Sequence, residues 1–502
     1  MMTYPHLQNG SDIRGFAIKT AKQEVTLTDE AIKHIATNFS SWLTKRIGEK
    51  DEKITIAVGY DSRLTGPAIQ EQLLSTFMQA GIHCLNVKMA TTPALFMATQ
   101  FKNYNCDAGI MITASHLPKE YNGLKFFTKE GGLEHEDIAY LVGELHPLTG
   151  PVDQVGETDE RALLDDYANF LVDTIRSKVN NRIHSKTPLE GRKIIVDAGN
   201  GAGGFFAEKV LKPLGADTEG SQFLDPDGHF PNHIPNPDNK EAMKSIQAAV
   251  LKHKADLGII FDTDVDRSAI VDAQGKSINR NNLIGLIGAI VLEENPGTTI
   301  VTNSPVSSHL ERFIQDKGGE VDRYISGYRN VINRAIELNE EGIDCALAIE
   351  TSGHAALREN FFLDDGAYLA AKILIADAKI KEKNQSVTQL IANLKEPLET
   401  EEVRFVIKAN EYRSIGKTML EDFSQFIEET EGFELVPKNK EGIRVNTTGK
   451  YGAGWFLLRM SLHEPKLVLQ IESDEYNKIP MIKDELKSFF LIQDRLDSSA
   501  LF

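Results

Sequence analysis

Short apolar runs recur along the chain, each ended by a polar or glycine-rich turn. Between them lie stretches with apolar residues every three or four positions. Ile32, Ile35, Ala36 and Phe39 share one face and predict a helix over 29–47. ITIAVGYDSR (54–63) reads as a buried strand ending in a turn, followed by a helix from Gly66 to Ala80 and a strand around His83 to Val87. TTPALFMATQ starts another helix with Pro93 in its first turn, where the missing N–H costs nothing, and AGIMI is the next strand. Strand and helix in alternation predict an α/β layer with a mostly parallel sheet.

The pattern repeats. KIIVDAGNGAGG (193–204) reads as strand, glycine-rich turn and helix start, and ADLGIIFDTDVDR (255–267) as a strand running into a polar loop. TTIVTNSPVSSHLERF (298–313) and DCALAIETSGH (344–354) restate the theme. We read three successive α/β units over 1–160, 161–276 and 277–393. Past the acidic run EPLETEEVR the character changes. VRFVIKA, EGIRVNTTG, GWFLLRMS and KLVLQIES read as strands with helices near 412–430 and 475–492, an α+β domain over 394–502.

Several strand ends offer chemistry. TASHLPKEYNGLK (113–125) sets Ser115 and His116 in a small-residue turn, with Lys125 beyond. Backbone N–H groups left unpaired in such a turn suit an anion, although Ser115 taken alone reads first as a helix cap or turn residue. FDTDVDR sets Asp262, Asp264 and Asp266 at alternate positions with Arg267 beside them. Three carboxylates so close resist joint ionisation, and a hard divalent cation removes the conflict. Glu350, Ser352 and His354 follow a strand, where a carboxylate and a hydroxyl two apart can read vicinal sugar hydroxyls. Arg459, Ser461 and His463 alternate, so in an extended segment they share one face and can grip a phosphate; a plain exposed strand face is the other reading. SGYR places Gly327 and Tyr328 beside Arg329, and SDIRG holds Arg14.

Composition narrows the class. At 502 residues the chain is too long for one core, and its formal net charge of −18 argues against non-specific binding to nucleic acid or to an anionic membrane. No apolar run is long enough to span a bilayer, and no N-terminal signal is recognisable. Cys84, Cys106 and Cys345 are far apart in sequence with no metal-ligand spacing, as expected of a cytoplasmic protein.

These pieces occur in one order that resembles the α-D-phosphohexomutase superfamily, most closely its phosphomannomutase/phosphoglucomutase branch and, near it, phosphoglucosamine mutase. SDIRG, TASHLPKEYNGLKFF, VDAGNGAGG, DGHFPNHIPNP, FDTDVDR, SGYR, IETSGH, FLDDGAYLAA and RMSLHEPK carry the likeness. It implies a four-domain α/β architecture around a central cleft: three similar mixed α/β domains and a C-terminal α+β domain of TATA-box-binding-protein-like fold. It further implies that Ser115 is a phosphoserine and that Asp262, Asp264 and Asp266 hold one Mg²⁺ against it. Glu350 and Ser352, with Gly327, Tyr328 and Arg329, would hold the sugar, and Arg459, Ser461 and His463 the phosphate that does not react. Lys125 and His354 would serve acid/base and charge work, with Arg14 and Arg267 lining the site. The implied reaction interconverts hexose 6-phosphate and hexose 1-phosphate of glucose or mannose through a bound hexose 1,6-bisphosphate. The implied partners are small sugar phosphates, and the expected state is a monomer or weak homodimer.

The chain departs from the family pattern in places. The usual Ser-His-Asn-Pro has Leu117, the metal loop has Thr263 and Val265 as spacers, and Leu462 and His463 replace Gly and Thr in the phosphate loop. Two rival readings stand beside the mutase. One is a haloacid-dehalogenase-like phosphatase with Asp262 as nucleophile and LDDG (363–366) as its later acidic pair. The other is a non-catalytic sugar-phosphate binder.

Overall fold

The structure, a computed structural model, describes residues 3–48, 53–146, 155–179, 186–381, 385–462 and 464–501. It divides into two compact units: Met1–Leu283 with Ser352–Gln389, and Ile284–Thr351 with Leu390–Phe502.

The first unit opens with β1 (Gln8–Asn9), β2 (Asp12–Phe16), α1 (Asp29–Ile47), β3 (Thr55–Tyr60), α2 (Gly66–Gln79), β4 (His83–Met89) and α3 (Thr92–Gln100). Then come β5 (Ala108–Ile112), β6 (Tyr121–Thr128), β7 (Gly131–Gly132), α4 (His135–Val142), β8 (Thr158–Glu160) and α5 (Leu163–Val179). Thr28 caps α1 by accepting the Ala31 N–H, and Thr91 caps α3 by accepting that of Ala94. The sheet runs β1-β2-β6-β5-β3-β4-β8 with β7 on β6. The core of Ile32, Ile35, Phe39, Ile56, Val58, Leu73, Phe77, Ile110 and Phe126 lies against it.

The expected parallel order holds for β5-β3-β4-β8, but β6 runs antiparallel to both of its neighbours, β5 and β2. Only 113–120 separate β5 from β6, too few residues for a crossover helix, so the chain must turn straight back. Ser115 is therefore in a turn between antiparallel strands and caps no helix.

A second sheet, β12-β11-β10-β9, is built from β9 (Ile194–Asp197), β10 (Leu257–Phe261), β11 (Ser268–Asp272) and β12 (Ser277–Ile278), with α6 (Lys240–His253) packed on it. β9 and β10 are parallel, and β10 returns through 262–267 into antiparallel β11. The helix expected after the glycine-rich turn is not a regular α-helix. A 3-10 turn at Ala202–Gly204 leads into π-helical Phe206–Leu211, and Pro213, which has no N–H to continue a helix, sits in the turn that ends it.

The second unit takes up the chain within α7 (Asn281–Glu294) and contains β13 (Thr299–Asn303), α8 (Ser308–Asp316), β14 (Glu320–Tyr324), α9 (Tyr328–Glu340) and β15 (Cys345–Ile349), with β14-β13-β15 parallel. The antiparallel pair β16 (Ala355–Leu357) and β17 (Leu363–Asp364), and α10 (Gly366–Lys381) after it, belong to the first unit. The chain ends in the second unit with β18 (Glu399–Ile407), α11 (Tyr412–Glu428), β19 (Phe433–Leu435), β20 (Ile443–Thr447), β21 (Gly454–Met460), β22 (Lys466–Ser473), α12 (Ile479–Phe490) and β23 (Leu496–Asp497). This antiparallel sheet, β19-β20-β21-β22-β18-β23, packs on α11 and α12 through Phe405, Phe423, Phe456, Leu469 and Phe490. No helix among the described residues is long and apolar enough to cross a membrane.

Candidate active site

In the first unit two return turns face each other. The β5–β6 turn presents Ser115, whose Oγ donates to Asp262 Oδ2 at 3.1 Å and lies 3.2 Å from His116 Nδ1. The β10–β11 turn presents Asp262, Asp264 and Asp266, all fully buried, with one oxygen of each within 4.8 Å of the others. β10 ends at Phe261, so the three lie in the turn itself, and its tight return into β11 brings their oxygens together. Val265, β-branched and buried, is held in the left-handed region at φ 66, a strained conformation of the kind that clusters at functional turns.

The cations around this cluster are short-range and specific. Lys125, on β6, pairs with Asp266 and lies 3.6 Å from Asp264. The Arg267 Nε donates to Asp262 Oδ2 at 3.0 Å. His354 forms a backbone bridge with Arg267, and its Nδ1 lies 2.6 Å from Asp364 Oδ2. Arg14, on β2, donates to the Thr113 carbonyl and, at 2.9 Å, to Asp12.

Burial, and after it the Asp266 carboxylate, pushes Asp262 well above the usual carboxyl range. Burial also works against ionised Asp266, but Lys125, His354 and Arg267 outweigh it and hold that group low. Burial opposes the His354 imidazolium, yet Asp364 and then Asp266 lift it to about 9. The Arg267 charge, with burial second, keeps His116 neutral.

The triad fits a hard divalent cation. Asp264 Oδ1 and Asp266 Oδ1 are buried and have no hydrogen-bond partner among the described residues. Two orphaned carboxylate oxygens beside a third carboxylate and a serine hydroxyl form an all-oxygen donor set. Thr92 Oγ1 orients the set by donating to Asp264 Oδ2 at 2.5 Å.

The other candidates divide between the units. Ser352 belongs to the first, in the turn before β16. In the second, Glu350 Oε1 accepts the Gly327 N–H at 2.7 Å, and Gly327 at φ 116 caps α9, whose first residues are Tyr328 and Arg329. Arg459, on β21, has its Nη1 4.0 Å from Glu441 Oε1. The expected extended face fails at Ser461. β21 stops at Met460, and a turn follows in which Ser461 N donates to Lys466 O at 2.8 Å and Ser461 Oγ accepts from Glu464 N at 3.3 Å. His463 lies outside the described residues. A Cβ on Gly327 would come 3.1 Å from Leu462 Cδ2, so the departing leucine packs on the SGYR turn. The LDDG carboxylates are occupied: Asp364 by His354 and the Ala355 N–H, Asp365 by Tyr167, Asn360 and the Tyr368 N–H.

Thr92 and Asp61, whose Oδ2 accepts the Thr113 hydroxyl at 2.6 Å, are not among the expected site residues, and Asp364 is expected only as part of the rival phosphatase's acidic pair. Their signals, a threonine before proline at a helix start and carboxylates at strand ends, are common for local reasons.

Family descriptions of phosphoglucomutase/phosphomannomutase match the chain three times: alpha/beta/alpha domain I over residues 6–142, domain II over 165–275 and domain III over 279–397. A phosphoglucomutase of Neisseria meningitidis serogroup A is 31% identical over 480 residues, 95% of this chain and 95% of the relative. A phosphomannomutase/phosphoglucomutase of Pseudomonas putida is 29% identical over 96% of this chain and 94% of its own. The crystal structure of a phosphoglucomutase/phosphomannomutase family protein from Burkholderia thailandensis superposes with a TM-score of 0.80 at 25% identity, covering 97% of this chain and 98% of that one. Three α/β/α domains followed by a sheet-rich C-terminal domain define an isomerase of the phosphosugar mutase class. The chain belongs to the phosphoglucomutase/phosphomannomutase family of the α-D-phosphohexomutase superfamily.

Proposed function

We propose that this hexose phosphate mutase interconverts the 6- and 1-phosphates of glucose and mannose through a phosphoserine at Ser115 and a hexose 1,6-bisphosphate that stays bound. The names of its relatives support those sugars. One observation carries the reading: Ser115 Oγ is 3.1 Å from Asp262 Oδ2, at the edge of a buried carboxylate triad. Asp262, Asp264 and Asp266, with Ser115, would hold Mg²⁺. When bound, it would neutralise charge on the phosphoryl group.

In the first half reaction the free sugar hydroxyl loses its proton as it attacks phosphorus, the bond from phosphorus to Ser115 Oγ breaks, and the serine oxygen takes up one proton in exchange. In the second, Ser115 Oγ attacks the other phosphate of the bisphosphate and the sugar oxygen leaves. In this direction the proton lost from Ser115 Oγ, which faces Asp262 Oδ2 at 3.1 Å, is matched by the one the leaving sugar oxygen takes up. His354, held as the imidazolium by Asp364, and Lys125 are the acids for the leaving oxygen. Arg14 and Arg267 balance charge. Glu350, Ser352, Gly327, Tyr328 and Arg329 would grip the sugar, and Arg459, Ser461 and His463 the distal phosphate. The four domains are read as 1–160, 161–276, 277–393 and 394–502. A cytoplasmic setting suits three buried free cysteines.

Labelling with ³²P-glucose 1,6-bisphosphate tests the reading. The wild type should take up hydroxylamine-stable label, and Ser115→Ala should take up none and lose turnover. Hydroxylamine-labile label with full turnover in Ser115→Ala would establish the aspartyl phosphatase instead, and no turnover on any sugar phosphate the binder. Comparing kcat/KM for glucose, mannose and glucosamine 1-phosphates assigns the sugar, glucosamine being the alternative.

A further inference from the structure

Arg63, in the turn after β3, has no part in the scheme above, yet it is one of the largest fully buried side chains of the protein. Its guanidinium gives four hydrogen bonds, three to main-chain carbonyls of the serine turn and one to that of Tyr121, the first residue of β6. Nη2 donates to Ser115 O at 2.6 Å and Leu117 O at 2.5 Å, and Nη1 to Pro118 O and Tyr121 O at 2.8 Å each. Such a turn has carbonyls that neither flanking strand can satisfy, and a planar fork with five fixed donors can satisfy several at once.

The same residue closes a ring on the nucleophile. Asp61 Oδ1 accepts the Arg63 N–H at 2.9 Å, and Asp61 Oδ2 accepts the Thr113 hydroxyl at 2.6 Å. Thr113 Oγ1 in turn accepts the Ser115 N–H at 2.8 Å. Ser115 is thereby gripped at both its N–H and its carbonyl. Its backbone needs that grip, because φ is 49, in the left-handed region where the Cβ of an L-residue crowds the following carbonyl. The ring is sealed from water. The Phe230 ring lies 5.5 Å from the guanidinium carbon, and Gly228 packs so closely that a Cβ there would come 2.6 Å from Ser62 O.

We propose that Arg63, acting with Asp61 and Thr113, is the positioning residue of the serine turn: it fixes Ser115 in its left-handed conformation and so aims Oγ at the carboxylate triad. Arg63 never meets the substrate. Lysine cannot replace it, because one ammonium with three donors cannot span four carbonyls arranged around a planar fork. The inference rests on Ser115 being the phosphoryl carrier.

The test uses full-length Arg63→Lys, Arg63→Ala and Thr113→Val, with two readouts. The first is kcat and KM on glucose 1-phosphate with Mg²⁺ and catalytic glucose 1,6-bisphosphate. The second is amide hydrogen exchange by mass spectrometry, comparing the 114–121 turn with β3 and β5. Both Arg63 variants should lower kcat by about 100-fold, the size expected of an ångström-scale misplacement, with KM within about threefold. Exchange in 114–121 should rise at least about tenfold while β3 and β5 stay protected. A folded Arg63 variant with kcat within about twofold of wild type, or with exchange raised equally across all three segments, overturns the proposal. Should neither Arg63 variant fold, Thr113→Val decides: a lowered kcat with faster exchange in 114–121 supports the ring, and unchanged values overturn it. If wild type itself does not turn over, the mutase reading fails first, and the exchange pattern still decides whether Arg63 holds the turn.

Discussion

The Thr92 hydroxyl donates to Asp264 Oδ2 at 2.5 Å, and the Thr92 N–H to the Asp264 carbonyl at 2.9 Å, joining the start of α3 to a carboxylate 172 residues later in the chain. Asp264 is thus held from both its side chain and its backbone, with Oδ1 turned inward and unpartnered among the described residues. Thr92→Val keeps the shape and removes the hydroxyl. We expect Mg²⁺ or Mn²⁺ affinity, measured by titration calorimetry, to fall about 10–100-fold, the usual effect of losing a group that orients a ligand. Unchanged affinity would mean that Asp264 needs no such support.

Asp364 Oδ2 lies 2.6 Å from His354 Nδ1. Asp364→Asn keeps a hydrogen-bonding side chain but removes the charge that favours the imidazolium. If His354 is an acid in the reaction, kcat should fall by about 100-fold with KM little altered. A rise in KM alone would move His354 from proton transfer to substrate binding.

Burial pushes the Asp365 carboxyl up to about 6, against the hydrogen bonds from Tyr167, Tyr368 and Asn360. An unfolded aspartate titrates near about 3.9, so between about pH 4 and pH 6 the folded protein binds this proton more tightly. Its contribution to stability therefore falls as pH rises through that window and is level above it. Asp365→Asn removes the slope. Urea unfolding across the pH range should show the variant gaining on wild type from about pH 4 to pH 6, with a constant difference from about pH 7 upward. An amide nitrogen in place of Asp365 Oδ2 would face Asn360 Nδ2, so Asn360 would turn over to present its Oδ1, which is buried without a hydrogen-bond partner among the described residues. A pH-independent difference would mean that Asp365 titrates normally.

In the second unit the Arg444 guanidinium lies 3.6 Å from the Trp455 ring centroid and donates to Ser304 O at 3.0 Å and Val306 O at 3.1 Å. Arg444→Met would strand two buried carbonyls and lose the stacked cation, destabilising the unit by about 2–4 kcal/mol. The chain has two tryptophans, so Trp455 fluorescence in a Trp42→Phe background follows this unit during urea unfolding. A midpoint unchanged by the substitution would show the contact to be dispensable.

Residue spacing alone located most strands and helices. Ile32, Ile35, Ala36 and Phe39 marked α1, and VRFVIKA, GWFLLRMS and KLVLQIES marked β18, β21 and β22, because periodicity reports which face of an element is buried. It also marked the carboxylate triad, whose three members lie within five residues. The direction of β6, the π-helical turn at Phe206–Leu211 and the end of β21 before Ser461 were not legible, since each depends on how neighbouring strands pair and how a short connection can close.

By itself, then, the sequence determined the order of elements, the α/β and α+β character of its parts and the chemical types at each strand end, all set by local spacing. Only the tertiary structure decided which of those ends meet. Arg63 on the Ser115 turn, Thr92 on Asp264 and Asp364 on His354 all bridge elements, and two of the three span separations that no pattern in the chain encodes. Such contacts arise because buried polar groups must find partners wherever the fold brings them.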